Sequence, residues 1–159
     1  GFKQLIDCDL SDYNGCLSPG GTTLLYDTVT DAINKTKDYS QQLYNNDFDA
    51  NAIVIVITDG GDNESSGGII GTKNSLIEVM REETLESILT ILVGVGVGQY
   101  QGVSDDLDQF KNEASLSQYV EIEKADQKTL AQLADFISKS VSSQSQALGT
   151  GGPSQPLQF

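Results

Sequence analysis

The chain has 159 residues, of which 38% are hydrophobic and 20% charged, so it is long and apolar enough to bury the core of one domain. Its formal net charge of −14 would repel a phosphate backbone or an anionic membrane surface, which argues against nucleic acid and membrane as partners. The chain has no histidine and therefore lacks the imidazole that Ser-His-Asp hydrolysis and His-ligated zinc require.

The cysteine content and the hydropathy pattern bear on the cellular compartment. Two cysteines, Cys8 and Cys16, are too few for a disulfide framework, so we interpret them as free thiols in a reducing compartment, with a short-loop disulfide between them as the alternative. The sequence shows no signal peptide, and its longest apolar run, residues 88–97, is too short to cross a bilayer. We therefore expect a cytoplasmic protein.

The first half of the chain predicts one helix and one strand. Residues 1–21 are irregular, because turn-forming residues interrupt their short apolar pairs. From Leu24 onward, apolar residues recur near every fourth position, which predicts an amphipathic helix. Residues 52–57 are almost entirely β-branched, which is typical of a strand buried on both faces of a parallel sheet. This strand ends in the turn Thr58-Asp59-Gly60-Gly61.

The second half of the chain continues the alternation. A Gly- and Ser-rich loop at residues 61–71 precedes a second helix, and a buried strand is predicted at residues 89–97. A short helix near Asp105, a strand at residues 119–122 and a last helix capped by Asp126 follow. The apolar stripes of these helices are Leu76, Met80, Thr84 and Ile88; Leu107, Phe110 and Ala114; and Leu130, Leu133, Ile137 and Val141.

This order of elements predicts an α/β fold. Helices that alternate with buried strands imply a mainly parallel sheet with helices on both faces. The domain is expected to occupy residues 1–141. Residues 142–159 are rich in Ser, Gln, Gly and Pro, and we interpret them as a flexible tail because they offer too little apolar surface to offset the entropy of ordering.

Three glycines at the end of the second strand partly resemble a dinucleotide-binding fingerprint. Gly94, Gly96 and Gly98 lie within and at the end of that strand, however, and do not open a helix. We interpret them as positions where the backbone packs closely against neighbouring groups.

Oxygen-bearing side chains follow the first strand and precede the first helix. Asp59 is a carboxylate at the end of a buried strand, where it serves either as a metal ligand or as a cap for the following turn. Thr22 and Thr23 are helix caps or, beside a carboxylate, ligands for a hard cation. Ligands bind at the carboxyl ends of strands in open α/β sheets, so both segments are candidates for one site.

Two segments together resemble the von Willebrand factor type A domain. One is Pro19-Gly20-Gly21-Thr22-Thr23-Leu24-Leu25-Tyr26-Asp27, and the other is Ile53-Val54-Ile55-Val56-Ile57-Thr58-Asp59-Gly60. The resemblance covers about residues 15–141 and implies a Rossmann-like sheet. It also implies a metal-ion-dependent adhesion site, at which the carboxyl edge of the sheet binds Mg²⁺, or else Mn²⁺ or Ca²⁺.

The resemblance assigns roles to individual residues. Thr23 is the implied metal-ligating threonine, with Thr22 as the alternate, and Asp59 is the acidic ligand, directly or through water. Apart from the resemblance, Asp62 and Glu64 on the same loop either lie behind the ligands or face a partner, or else belong to a solvated surface.

The chain departs from the family in its first third. The family's Asp-x-Ser-x-Ser loop, which follows a first strand, is matched only in its first two positions by Asp9-Leu10-Ser11-Asp12-Tyr13, which we interpret as a surface loop. We therefore expect the sheet to lack its first strand, which leaves the strand at residues 52–58 as an exposed apolar edge unless residues 1–12 partly cover it. Cation binding should be weak unless an Asp-x-Ser-x-Ser segment comes from elsewhere, because Mg²⁺ prefers full octahedral oxygen coordination.

The function implied by the resemblance is that of a protein-binding module and not of an enzyme. The cation would take an Asp or Glu of a protein partner. Short prokaryotic and phage members of the family carry a similar motif, which points to a prokaryotic or phage protein that assists an ATPase or a stress or defence system. The alternatives are a Mg²⁺-dependent phosphoryl-transfer enzyme that uses Asp59, Asp62 and Glu64, and a structural assembly component with a non-functional metal site.

Overall fold

Helices and strands alternate from residue 25 onward. The structure is a computed structural model that describes residues 2–16, 20–124 and 126–149. Its main elements are α1 (Leu25–Tyr44), β1 (Asn51–Thr58), α2 (Gly68–Arg81), β2 (Ser87–Val95), α3 (Val103–Ala114), β3 (Gln118–Ile122) and α4 (Gln127–Gly149). Within these described ranges, no helix combines the length and apolar character needed to cross a membrane.

The strands form one parallel sheet in the order β1-β2-β3. Thr58 pairs in register with Gly94, and Gly94 pairs with Glu121, so all three strands run to the same carboxyl edge. The predicted α/β class and parallel sheet are therefore confirmed. The two crossovers, each of which contains a helix, are the connections that parallel neighbours require.

Both faces of the sheet are covered, as its β-branched strands predict. On β2, Leu92 faces a core formed with α1, α2 and α3, whereas Ile91, Val93 and Val95 face a second core formed with β3 and α4. Successive side chains of a strand point to opposite faces, so one continuous apolar run serves both cores.

The extent of α2 differs from the prediction. The helix begins at Gly68, inside the segment predicted as a loop, and ends at Arg81. Met80 is 71% exposed, and Thr84 and Ile88 lie beyond the helix, so the predicted stripe is wrong except for Leu76.

Polar side chains explain why the buried face of α2 was missed. Thr72 and Ser75 are buried beside Leu76 and Val79 and give no hydrophobic signal. The hydroxyl of Thr72 is paired with that of Thr30 on α1 at 3.0 Å, which offsets the cost of burying it.

The extent of α4 also differs. Asp126 caps the helix as predicted, because its carboxylate accepts the Thr129 N–H at 2.8 Å. The helix continues to Gly149, however, so residues 142–149 are helical and do not belong to the predicted tail. Gln144 in this stretch is buried. Residues 150–159, also predicted as tail, lie outside the described part of the chain.

Of the three glycines predicted at the end of the second strand, Gly94 lies within β2 and has the predicted packing role, whereas Gly96 and Gly98 lie beyond the strand. A Cβ at Gly94 would lie 2.9 Å from both the Tyr119 hydroxyl and Val97 Cγ2. Gly96 adopts a left-handed conformation with φ of 69°, which a glycine tolerates without steric cost.

We predict that Gly94→Ala destabilises the fold by about 1–3 kcal/mol, because the new methyl group overpacks a buried site beside Val97. Urea unfolding followed by circular dichroism measures the change. Gly60→Ala is the matched control, since a Cβ at Gly60 meets nothing within 4 Å. Equal stability of the two variants would contradict the close-packing role of Gly94.

Candidate metal site

The segment before α1 and the loop after β1 meet at the carboxyl end of the sheet. The Thr23 N–H donates to the side-chain carbonyl of Asn63 at 2.8 Å. In return, the Asn63 N–H donates to the Thr23 carbonyl at 3.1 Å. Asn63 follows Asp59 by four residues, so this pair of hydrogen bonds brings the two segments predicted to form one site into contact.

The side chains of the two implied ligands are not engaged elsewhere. Asp59 and Thr22 are exposed, and Thr23 is half-buried. Across residues 2–16, 20–124 and 126–149, none of the three side chains makes a hydrogen bond or ion pair. The turn that carries Asp59 is fixed instead by Thr58, whose hydroxyl donates to the Gly60 carbonyl at 2.7 Å and accepts the Gly60 N–H.

The alternative interpretation of Thr22 and Thr23 as helix caps is wrong. The N-cap of α1 is Leu24, and its side chain makes no capping hydrogen bond. The free N–H groups of the first turn are satisfied by the loop after β1: Tyr26 donates to the Asp62 carboxylate at 3.2 Å, and Asp27 donates to the Ser65 hydroxyl at 3.1 Å. The threonine hydroxyls are thereby left available for another ligand.

Asp62 therefore has a structural role within the loop. Besides the Tyr26 N–H, its carboxylate accepts both the N–H and the hydroxyl of Ser65. Its neighbour Glu64 is exposed at the same edge and has no side-chain partner within the described structure.

A second carboxylate, Asp27, holds the same loop from the other side. It accepts the N–H groups of Ser66 and Gly67, each at 2.9 Å, and the Ser66 hydroxyl at 3.0 Å. The backbone hydrogen bonds from Ser66 and Gly67 hold the pKa of Asp27 below its usual value. We call the bonds made by Asp62 to the start of α1 and by Asp27 to the start of α2 the reciprocal caps.

Sequence reasoning missed Asp27 as a site-building residue. It lies in the motif Leu25-Tyr26-Asp27, in the first turn of α1. An acidic side chain at that position is usually explained by a favourable interaction with the dipole of its own helix. Its partners lie about forty positions further along the chain, so no local pattern reveals them.

Tyr26 connects the candidate site to the hydrophobic core by a packing contact. Its ring packs on Phe110 of α3 with centroids 4.5 Å apart. Burial raises the pKa of Tyr26, and the carboxylates of Asp62 and Asp106 add to this effect. The phenol is therefore neutral at physiological pH and places no further negative charge near the strand ends.

The N-terminal acidic segment is a surface loop, as predicted. Residues 9–13 are exposed, and Asp9 and Asp12 cap their own short 3-10 turn. The Asp9 carboxylate accepts the N–H and hydroxyl of Ser11, and Asp12 accepts the Asp9 N–H and pairs with Lys3. These bonds hold the pKa values of both carboxyls below their usual range.

The chemistry of the site is that of hard oxygen donors. Among the residues described, no three acidic or cysteine side chains group closely enough to hold a metal ion. A cation at this edge would therefore rest on few protein ligands, and the free side-chain oxygens of the two joined segments include those of Thr22, Thr23, Asp59 and Glu64. Comparison with protein-family models, with curated proteins and with solved structures gives no match for this chain.

We predict that Asp27→Asn removes a pH-dependent part of the stability. A carboxyl whose folded pKa is lowered stabilises the fold above its unfolded pKa, and this contribution is lost as the pH falls through the folded pKa. The variant should therefore be less stable than the wild type at about pH 6 and should approach it at about pH 2. Urea midpoints across this range give the measurement.

The control for this experiment is Asp31→Asn, which removes the same charge from the exposed side of α1, where Asp31 pairs with Lys35. An exposed pair of this kind contributes little to stability. The role of Asp27 is refuted if the two variants show the same midpoints at every pH.

Proposed function

We propose that this chain is a divalent-cation-dependent protein-binding module of the von Willebrand factor type A kind. The observation that carries the proposal is the paired hydrogen bonding of Thr23 with Asn63, which joins the segment of Thr23 to the loop of Asp59. The sequence motifs and the parallel sheet support the same assignment. In this proposal the cation is Mg²⁺, or else Mn²⁺ or Ca²⁺, as the oxygen donors favour.

Recognition would take place through the cation itself. Thr23 and Asp59 contribute a hydroxyl and a carboxylate, and water fills the other positions of the coordination shell. A carboxylate of a protein partner then replaces one water. Since two protein ligands bind Mg²⁺ weakly, the proposal includes a further oxygen-rich segment from outside these 159 residues that raises the affinity.

The cation also resolves an electrostatic conflict. The chain carries a net charge of −14, and Asp59, Asp62 and Glu64 all lie on the loop of the proposed site. An acidic partner would be repelled from this edge when no cation is bound. A bound divalent ion offsets most of this local negative charge and offers a coordination position to the partner's carboxylate, so capture of the partner would depend on the metal.

The phosphoryl-transfer alternative is less well supported. It uses Asp62 together with Asp59 and Glu64, but the Asp62 carboxylate already accepts hydrogen bonds from Tyr26 and Ser65. Freeing it for a metal would release the start of α1. The structural-component alternative has no observation in its favour beyond the acidic surface.

We predict that Asp59→Asn and Thr23→Val each weaken Mn²⁺ binding by about tenfold or more, because the first replaces a charged carboxylate ligand with a neutral amide oxygen and the second removes the hydroxyl ligand. Thr23→Val retains the shape of the side chain and the backbone pair with Asn63, so the fold should persist. Electron paramagnetic resonance of free Mn²⁺ in a titration measures the affinity, and competition with Mg²⁺ tests selectivity.

Asp135→Asn is the charge-matched control, because it removes an exposed carboxylate of α4 that pairs with Lys139. Its Mn²⁺ affinity should equal that of the wild type. Wild-type affinity in both Asp59→Asn and Thr23→Val would overturn the proposed site. Mg²⁺-dependent hydrolysis of p-nitrophenyl phosphate that disappears in Asp59→Asn would instead favour the enzyme.

A further inference from the structure

Helix α2 has an apolar stripe on the side that faces away from the core. The side that faces the core buries Thr72, Ser75, Leu76 and Val79. On the opposite side, Ile70 is 71% exposed, Ile77 is 44% exposed and Met80 is 71% exposed. These three residues follow one another at spacings of seven and three, so they share one face of the helix over about 15 Å. We call Ile70, Ile77 and Met80 the apolar stripe.

The two neighbouring helices have no such stripe. Every exposed position of α3 is polar, and so is every exposed position of α1 before its last residue, Tyr44. Apolar residues that are scattered singly over a surface need no explanation, whereas an apolar group with a polar rim is typical of an interaction site. The apolar stripe therefore distinguishes α2 from the helices on either side of it.

The exposure of the stripe is independent of what pairs with β1. Helix α2 packs against both α1 and α3, and the three helices share one core on one side of the sheet. A further strand beside β1 would extend the sheet in its own plane, on which the inner sides of the helices rest. It would not cover the outer side of α2, which points away from the sheet.

Two cations border the apolar stripe. Lys73 lies between Ile70 and Ile77 in the sequence, and Arg81 follows Met80 in the last turn of α2. Both side chains are exposed, and neither forms an ion pair within residues 2–16, 20–124 and 126–149. In a chain with a net charge of −14, this helix thus presents two unpaired positive charges beside exposed apolar side chains.

The nearby carboxylates leave these two cations unpaired. Glu78 is the one acidic residue of α2, and it pairs with Lys37 of α1 at 3.2 Å. Glu82, just beyond the helix, pairs with the same lysine at 3.5 Å, and Glu83 follows it on the surface. The exposed acidic residues of α3, none of which forms an ion pair with either cation in the described structure, are Asp105, Asp106, Asp108 and Glu113.

The backbone of a helix limits what can bind to its surface. The main-chain N–H and C=O groups within α2 are paired with one another, so its outer side offers no main-chain partner to an extended peptide. A ligand that packs on the stripe has to satisfy its own main-chain groups, as an α-helix does. Two packed helices contact each other through residues three and four positions apart. The ligand that fits is therefore an amphipathic helix, with carboxylates where it meets Lys73 and Arg81.

A second copy of α2 fits this surface poorly. In a two-fold symmetric contact the same patch of both copies meets, so the stripe of one copy would face a stripe bordered by the same two cations. Each copy also carries a net charge of −14. Like charges placed opposite each other are a common means of rejecting a wrong partner.

We propose that the outer side of α2 binds an acidic amphipathic helix of a protein partner. The apolar side chains of that helix pack on Ile70, Ile77 and Met80, and its carboxylates pair with Lys73 and Arg81. Burial of the stripe provides affinity, and the two cations select against basic helices. Binding here requires no metal, so this surface is additional to the proposed cation site.

The test uses the chain's single methionine as a reporter. Met80 is the only methionine of the sequence, so a chain labelled with carbon-13 at the methionine methyl group gives one resonance, which comes from the stripe itself. The probe is a stapled helical peptide of about 18 residues with leucines at every third and fourth position and glutamates beside them. In EDTA and at low ionic strength, we expect it to shift the Met80 resonance saturably. The same peptide with lysines in place of its glutamates should bind about tenfold or more weakly.

A double variant locates the apolar contact. Ile70→Ser combined with Ile77→Ser keeps the Met80 reporter and should weaken peptide binding by about tenfold or more, because it removes two apolar side chains from the contact. Leu130→Ser combined with Val141→Ser is the matched control. These two apolar residues are 47% and 46% exposed on α4, which packs on the other side of the sheet, so this variant should bind like the wild type. Circular dichroism verifies that both variants are folded.

A second double variant tests the charges. Lys73→Gln combined with Arg81→Gln should weaken binding at low salt and lose this effect at high salt. The control is Lys35→Gln combined with Lys139→Gln, which changes the net charge equally by removing exposed cations of α1 and α4. The control should bind like the wild type.

The outcomes separate this proposal from its competitors. No saturable shift of the Met80 resonance, or equal binding by the serine variants of α2 and α4, overturns it. Equal binding of the glutamate and lysine peptides also overturns it. A dimer detected by sedimentation that Ile70→Ser combined with Ile77→Ser dissociates would assign the stripe to a second copy and overturn the proposal as well. Because EDTA is present throughout, a failure here leaves the Mn²⁺ result untouched, and a failure of the cation site leaves the peptide result untouched.

Discussion

The geometry of the candidate site depends on the reciprocal caps. Asp62, in the loop after β1, accepts an N–H from the first turn of α1, and Asp27, in that turn, accepts N–H groups from the segment before α2. Each carboxylate satisfies donors at a helix start that would otherwise lack partners. The loop of Asp59 is consequently hydrogen-bonded to the starts of both α1 and α2. The position of Thr23 against Asn63 follows from the same arrangement.

The sequence was informative wherever the physical signal is local. The β-branched run of β2 predicts a strand buried on both faces, and the core that divides at Leu92 and its neighbours confirms this. The same prediction for β1 is wrong in part, because β1 lies at the edge of the sheet and is only partly buried. The start of α2 was missed because Gly67 and Gly68 have low helix propensity. What supports that start is the Asp27 carboxylate, which is remote in sequence. Helix α4 likewise exceeds its predicted end because a serine- and glutamine-rich segment gives no apolar period.

The candidate site was likewise predictable only in part, because some of its contacts are local in sequence and others are not. The motifs placed Asp59 after the carboxyl end of β1 and Thr23 before α1. Because α1 leads into the start of β1, its own start lies towards the opposite, carboxyl edge, where Thr23 contacts Asn63. The motifs did not indicate that Asp62 and Ser65 would cap α1 in place of the threonines. That exchange of roles depends on side-chain hydrogen bonds across about forty residues of chain. It matters for the proposed function, because a threonine that caps its own helix has its hydroxyl engaged and is a poorer cation ligand.

The acidity of the chain determines which partner the proposed cation site can accept. The net charge of −14 repels an acidic partner from the sheet's carboxyl edge as long as no cation is bound there. A divalent ion held by Asp59 and Thr23 would offset the local negative charge and give the partner's carboxylate a position to occupy, so the same acidity that repels the partner without metal would make its binding depend on the metal.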